Sequence, residues 1–132
     1  MDAITDVPSP TNEPVHEYAR RSPERKRLKA ALRSLTAAPI DLPHVIGGRH
    51  VMGAGARVDV VQPHNHRAVL GTLTNGEHAE ATAAVEAATA AKDAWAATPF
   101  DERAAVILRA ADLLAGPWRE KLAAATMLGQ SK

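Results

Sequence analysis

His64, Asn65 and His66 form the most metal-like group in the sequence. Two histidines at i and i+2 on a strand point to one face and could share a cation. A third ligand would have to come from His44, His50, Asp59 or a more distant residue. No H-E-x-x-H pair stands on a helix, so the pattern predicts surface or turn histidines rather than a metal site. The run from Arg20 to Arg33 carries seven of the chain's 16 positive charges. Such a run suits phosphate backbones, but no aromatic residues interleave with it for base stacking. It also fits a solvated helix face with leucines docked on a neighbour. Gly47-Gly48 with Gly53 and Gly55 is neither G-x-G-x-x-G between strand and helix nor G-x-x-x-x-G-K-[ST]; hairpin turns account for it. The carboxylates are scattered, and Asp101-Glu102-Arg103 reads as a helix start. Ser131-Lys132 has the types of a nucleophile and a base, but a terminus does not position them. Cysteine is absent, so no disulfide, zinc–thiolate site or thiol nucleophile comes from these residues. No residue is assigned a catalytic, cofactor-binding or metal-ligating role.

The elements that would position any such group follow from punctuation and period. Residues 1 to 21 read as an extended arm, because Pro8, Pro10 and Pro14 fix φ and remove backbone donors. Residues 22 to 43 read as a helix and a linker. Ser22 can cap, Pro23 suits the first helical position, and Leu28, Leu32 and Leu35 make one apolar stripe. Pro39 and Pro43 end this region. Residues 44 to 75 read as a short antiparallel β meander of about four strands, with Gly47-Gly48 at a tight hairpin turn and Pro63 and Asn65 at a second reversal. Residues 76 to 132 turn helical. The first helix there spans about His78 to Ala97 and stops at Thr98-Pro99. The second starts near Asp101 as cap, and the third runs from about Pro117 to Leu128 with Gly129 as C-cap. The expected fold is therefore α+β, with about four helices.

Composition bounds what such a chain does alone. Its 132 residues make about one domain, and 16 Lys+Arg against 15 Asp+Glu leave a net charge of +1. That balance argues against a dedicated nucleic-acid or membrane-surface protein. The 45% hydrophobic fraction includes 28 alanines, while Leu, Ile, Val and Phe together number only 26. Alanine contributes little burial energy, so the chain is expected to lean on a partner or a missing remainder. The acidic start Met1-Asp2-Ala3-Ile4-Thr5-Asp6 lacks a signal-peptide pattern, and no stretch approaches a membrane span. A cytoplasmic location is the expectation.

From about residue 44 onward the chain resembles the opening of an aldehyde dehydrogenase. The residues that carry the resemblance are Ile46-Gly47-Gly48-Arg49-His50-Val51, then Val61-Gln62-Pro63, then Val69-Leu70-Gly71-Thr72-Leu73. An alanine-rich helix then leads to Trp95, followed by Pro99, Arg103-Ala104 and Ala110-Ala111-Asp112-Leu113-Leu114. Two further stretches are similar to the 1-pyrroline-5-carboxylate (L-glutamate γ-semialdehyde) dehydrogenase branch. One is Asn12-Glu13-Pro14-Val15 with Ser22-Pro23-Glu24-Arg25; the other runs from Ala110 through Gly116-Pro117-Trp118-Arg119 to Lys132.

The resemblance implies the N-terminal segment of an α/β aldehyde dehydrogenase fold, cut before the nucleotide-binding core. It implies NAD as cofactor of the full-length family, with none expected for these residues alone. The family reaction oxidises glutamate γ-semialdehyde to glutamate in proline degradation. A thiolate, a general-base glutamate and nucleotide contacts further along the family's chain carry that reaction. The expected role here is scaffold, inactive in isolation, with the rest of the dehydrogenase or homo-oligomer partners covering it. The alternative is a non-enzymatic module that associates with a full-length homologue. No nucleic-acid or membrane partner is expected.

Overall fold

Ser22 and Pro23 start the first helix as their residue types require. The Ser22 hydroxyl accepts a hydrogen bond from the Arg25 N–H at 3.3 Å, and Pro23 occupies the first turn of α1 (Pro23–Ala37). In the computed structural model, which describes Ser9 and residues 11–132, α1 is followed by five strands and three further helices. The extended arm expected at Pro8 and Pro10 lies outside the described residues. The strands are β1 (Ile40–Asp41), β2 (His44–Ile46), β3 (Arg49–Val51), β4 (Arg57–Gln62) and β5 (Asn65–Thr74). The helices are α2 (His78–Ala97), α3 (Phe100–Ala115) and α4 (Arg119–Gln130). The α+β class and the four helices are those the sequence predicts.

The strands are connected differently from the single antiparallel meander expected. β2 and β3 form a separate hairpin, with Ile46 opposite Arg49. Gly47 and Gly48 both hold positive φ, 56° and 76°, as a primed two-residue turn demands. The other sheet has the order β1-β5-β4 and includes a parallel pair. Ile40–Asp41 lies in what the sequence reads as linker; two residues between prolines carry no visible strand period. The strand forms because Gly71 lets it approach. A Cβ at Gly71 would sit 2.6 Å from the Ile40 carbonyl oxygen. β4 and β5 pair antiparallel, with register shifts between Val60 and Gln62.

Three helix ends also differ. α3 begins with Pro99 in the N-cap position and no side-chain cap, so Asp101 lies inside the first turn with Glu102. Thr98 closes α2 as expected, its hydroxyl donating to the Ala94 carbonyl at 2.9 Å. α4 starts at Arg119 because Gly116, Pro117 and Trp118 form a turn first. Gly129 is helical, and Ser131 takes the left-handed C-cap conformation at φ 57°.

α1 packs on α4, α4 on β4, and α2 on β2. Leu28, Leu32 and Leu35 are half-buried, as expected of a stripe docked on a neighbour. One charged contact ties the two ends of the described chain. Arg27 donates from Nε at 3.1 Å and from Nη2 at 2.9 Å to Oε1 of Glu120. The Glu120 side chain is only 10% exposed, while Arg27 is 55% exposed. His16 Nδ1 stands 4.0 Å from the same oxygen, and Arg119 Nη1 donates to the Pro14 carbonyl at 2.6 Å. The segment before α1 is thereby held against the α1–α4 pair. Burial pushes the Glu120 carboxyl up, but the Arg27 hydrogen bond, its own N–H and the Arg27 charge hold it below the ordinary 4.5.

Because the folded-state pKa is depressed, this contact contributes stability above the unfolded carboxylate pKa and loses it as pH falls through the folded value. Protection factors of the α1 and α4 amides, corrected for the intrinsic slowing of exchange in acid, should therefore fall between about pH 5 and pH 3. In Glu120→Gln that fall in protection should shrink. Arg27→Ala should cost about 1–3 kcal/mol by leaving a buried carboxylate unpaired, read from the same amides at pH 7. Gly71→Ala should release β1 and cost about 1–3 kcal/mol, read from exchange of the Leu42 N–H, which donates to the Thr72 carbonyl at 2.8 Å.

Candidate functional site

The histidines singled out by spacing do not converge. His64 lies in the turn between β4 and β5, while His66 is on β5. His64 Nδ1 is 2.7 Å from the Ser131 hydroxyl, an exposed contact. His44 Nε2 is instead 3.0 Å from the Thr74 carbonyl, tying the hairpin to the end of β5. His50 is exposed on β3. Among the described residues no three His, Asp or Glu side chains are grouped to hold a metal ion.

The glycines are committed to structure. Gly47 and Gly48 make the hairpin turn, and Cβ atoms on Gly53 and Gly55 would lie 2.2 and 2.8 Å from the Asn75 carbonyl oxygen. A dinucleotide pyrophosphate needs glycine N–H groups opening onto a helix N-terminus. Gly47 and Gly48 turn between two strands, and the Asn75 backbone closes over Gly53 and Gly55, so none of the four lies between a strand and a helix as that cradle requires. The α2 N-terminus is itself occupied by Glu80. Its Oε2 accepts from the Glu77 N–H at 2.8 Å and its Oε1 from the Ala54 N–H at 3.1 Å. The Glu77 N–H, with its own N–H, holds the Glu80 carboxyl below the usual range.

What the elements present is apolar surface. Ala124 is the one hydrophobic residue fully buried among those described. The chain exposes 10375 Å², where a compact monomer of its 14.0 kDa mass would expose about 6,700 Å². Val85 on α2 and Ile107 on α3 are each 66% exposed, and Phe100 is 56% exposed. Trp95, Phe100, Ala104, Ile107 and Leu108 line an open groove of 430 Å³ together with Arg103. The Arg103 Nε is buried there with no hydrogen-bond partner. Alanines on α2 let it lie close to the β2–β3 hairpin: Ile46, Arg49, Val51, Ala79, Glu80 and Ala83 share one shallow groove. Among the described residues no helix is long and apolar enough to cross a membrane. Sequence reasoning anticipated unsatisfied apolar surface from composition, but not the Arg103 Nε orphan. Its signal, an arginine one turn into an amphipathic helix, is too common to stand out.

The described residues thus form an α+β arrangement with a wide apolar face and no grouped metal ligands. The family it comes from is defined: the aldehyde dehydrogenase family model matches residues 50–132, and the chain belongs to that family. Within it, the chain is 41% identical to the Delta-1-pyrroline-5-carboxylate dehydrogenase of Agaricus bisporus, over 98% of this chain and 24% of that protein. The crystal structure of the Delta-pyrroline-5-carboxylate dehydrogenase from Mycobacterium tuberculosis bound with NAD and cobalamin superposes with a TM-score of 0.94. It is 75% identical over 98% of this chain and 24% of that one. The 1-pyrroline-5-carboxylate dehydrogenase from Thermus with bound NAD matches with a TM-score of 0.82 at 29% identity, over 94% of this chain and 24% of that one. The chain thus spans about a quarter of the length of the relatives it matches.

The exposed groove predicts a dye-binding chain. An environment-sensitive apolar dye should bind the 132-residue protein and fluoresce strongly. Ile107→Glu should reduce that signal several-fold without reducing the helical circular dichroism, because the side chain contacts little of the chain's own core.

Proposed function

We propose that this chain is the opening quarter of an NAD-dependent 1-pyrroline-5-carboxylate (L-glutamate γ-semialdehyde) dehydrogenase, acting in proline degradation to glutamate. The observation that carries the reading is the near-complete superposition on the mycobacterial dehydrogenase, combined with apolar faces that the chain leaves uncovered. Residues 1–132 serve as scaffold. The described part of the arm (residues 11–21), the helix and linker 22–43, the β region 44–75 and the helical segment 76–132 form one packing surface for the rest of the enzyme. They supply no thiol nucleophile, since the chain has no cysteine. NAD binding and catalysis belong to the remaining three-quarters of the dehydrogenase, which covers the α2–α3 face, with further subunits of a homo-oligomer beyond it. A cytoplasmic setting is part of this proposal, although several relatives are named as mitochondrial.

Complementation tests the proposal. The body of a related dehydrogenase lacking its first quarter is co-expressed with this chain. The expected result is a co-purifying complex that forms NADH with glutamate γ-semialdehyde, while each part alone forms none. NADH formation by this chain alone, or full activity of the body without it, overturns the reading. Capture of the chain by an intact full-length homologue, with no complementation of the shortened body, favours the interaction-module alternative.

A further inference from the structure

The fold places six cations around one groove that nothing in the scaffold reading uses. Arg20, Arg21, Arg25, Lys26, Lys29 and Arg33, with Ser22, line an open cavity of 480 Å³. At 100° per residue, Arg25, Lys26, Lys29 and Arg33 fall within a sector of about 100° on α1, beside the stripe of Leu28, Leu32 and Leu35. The seventh cation of the run, Arg27, lies outside that sector and is bound to Glu120. Among the described residues no carboxylate lies within ion-pair distance of the six. Arg25 makes one neutral contact, donating from Nη1 to the Tyr18 carbonyl at 3.2 Å.

This arrangement works against the stability of α1. Arg25 and Lys29, and Lys29 and Arg33, are like charges at i and i+4, which repel. Cations crowd the first half of the helix, where its dipole disfavours them, and the last turn has none. Arg21 holds a left-handed backbone at φ 71°, and Tyr18 at φ 50°. Both are costly for residues with a Cβ. The turn they make delivers Arg20 and Arg21 to the same groove as the helical cations. A local charge cluster that costs helix stability, and is completed by a strained turn, has the form of a binding site awaiting its counter-charge.

The geometry points to a linear run of phosphate groups as the ligand. Successive cations at i, i+4 and i+8 stand about 6 Å apart along α1 and together span about 12 Å. That length suits a short phosphoanhydride chain. No aromatic side chain lines the groove to stack a base, so inorganic polyphosphate fits better than nucleic acid. Binding is electrostatic and involves no bond-making step.

Calorimetric titration of the 132-residue chain with inorganic tripolyphosphate at low salt is the test, with single-stranded oligo-dT of matched charge as the second arm. The expected result is tripolyphosphate binding that weakens steeply with added salt. Arg25→Gln/Lys29→Gln/Arg33→Gln should lower affinity at least about tenfold, since each lost cation removes one phosphate contact. Arg25→Lys/Arg33→Lys should retain binding, and so should the control Arg57→Gln/Arg67→Gln on the sheet. Circular dichroism checks that the variants keep their helices. If the triple variant loses helix, binding by the Lys variant and the sheet control is compared with Lys29→Glu/Arg33→Glu, selected for retained helix. No binding at low salt, equal binding by the charge-depleted variants, or tighter binding of oligo-dT than of tripolyphosphate overturns the proposal.

Discussion

The supply of apolar area per element governs the rest of this structure. A buried leucine or isoleucine removes enough apolar surface from water to contribute about 1.5–3 kcal/mol, while alanine contributes a fraction of that. α2 is built mainly from alanine, so it can lie close to the β2–β3 hairpin but gains little by doing so. The larger side chains, Val85, Trp95, Phe100 and Ile107, keep about half or more of their surface exposed. The same economy that leaves only Ala124 fully buried produces the broad open face of α2 and α3. A helix pair of this kind is stable when a larger body closes over it.

Where apolar contact is scarce, specific polar contacts set the geometry. Glu120 receives Arg27 from 93 residues away and sits in a nearly closed environment, which fixes how α1 crosses α4. Glu80 does the same for the loop after β3, satisfying N–H groups of Glu77 and Ala54 at once. Each carboxylate accepts two hydrogen bonds that bring separate parts of the chain together, and these bonds lower its pKa. These contacts define orientation more than they supply net stability, since transferring a charge from water costs much of what pairing returns.

Family membership and chemistry separate cleanly in this chain. The aldehyde dehydrogenase resemblance rests on turns, strand ends and helix signals in a fixed order, all of which serve packing. The chain has no cysteine, and among the described residues no His, Asp and Glu side chains group to hold a metal ion. The one concentrated charge feature among the described residues, the cation groove of α1, makes no ion pair with the chain's own carboxylates.

The sequence alone determined the elements whose causes are local. Ser22-Pro23 starts α1, Gly47-Gly48 turns the hairpin, and the alanine-rich stretch from His78 to Ala97 forms α2 at the bounds its signals predict. Composition alone also anticipated the uncovered apolar surface. Tertiary structure decided what depends on residues far apart. Ile40–Asp41 became a strand only because Gly71, some thirty residues on, leaves room for its backbone. The β region split into a hairpin and a mixed sheet because β5 pairs on both edges, a choice no two-residue period reveals. His64 and His66 failed to share a face because the turn claimed His64 before the strand began. Short-range backbone preference is written residue by residue, whereas pairing partners and close approaches are settled by which distant surfaces fit.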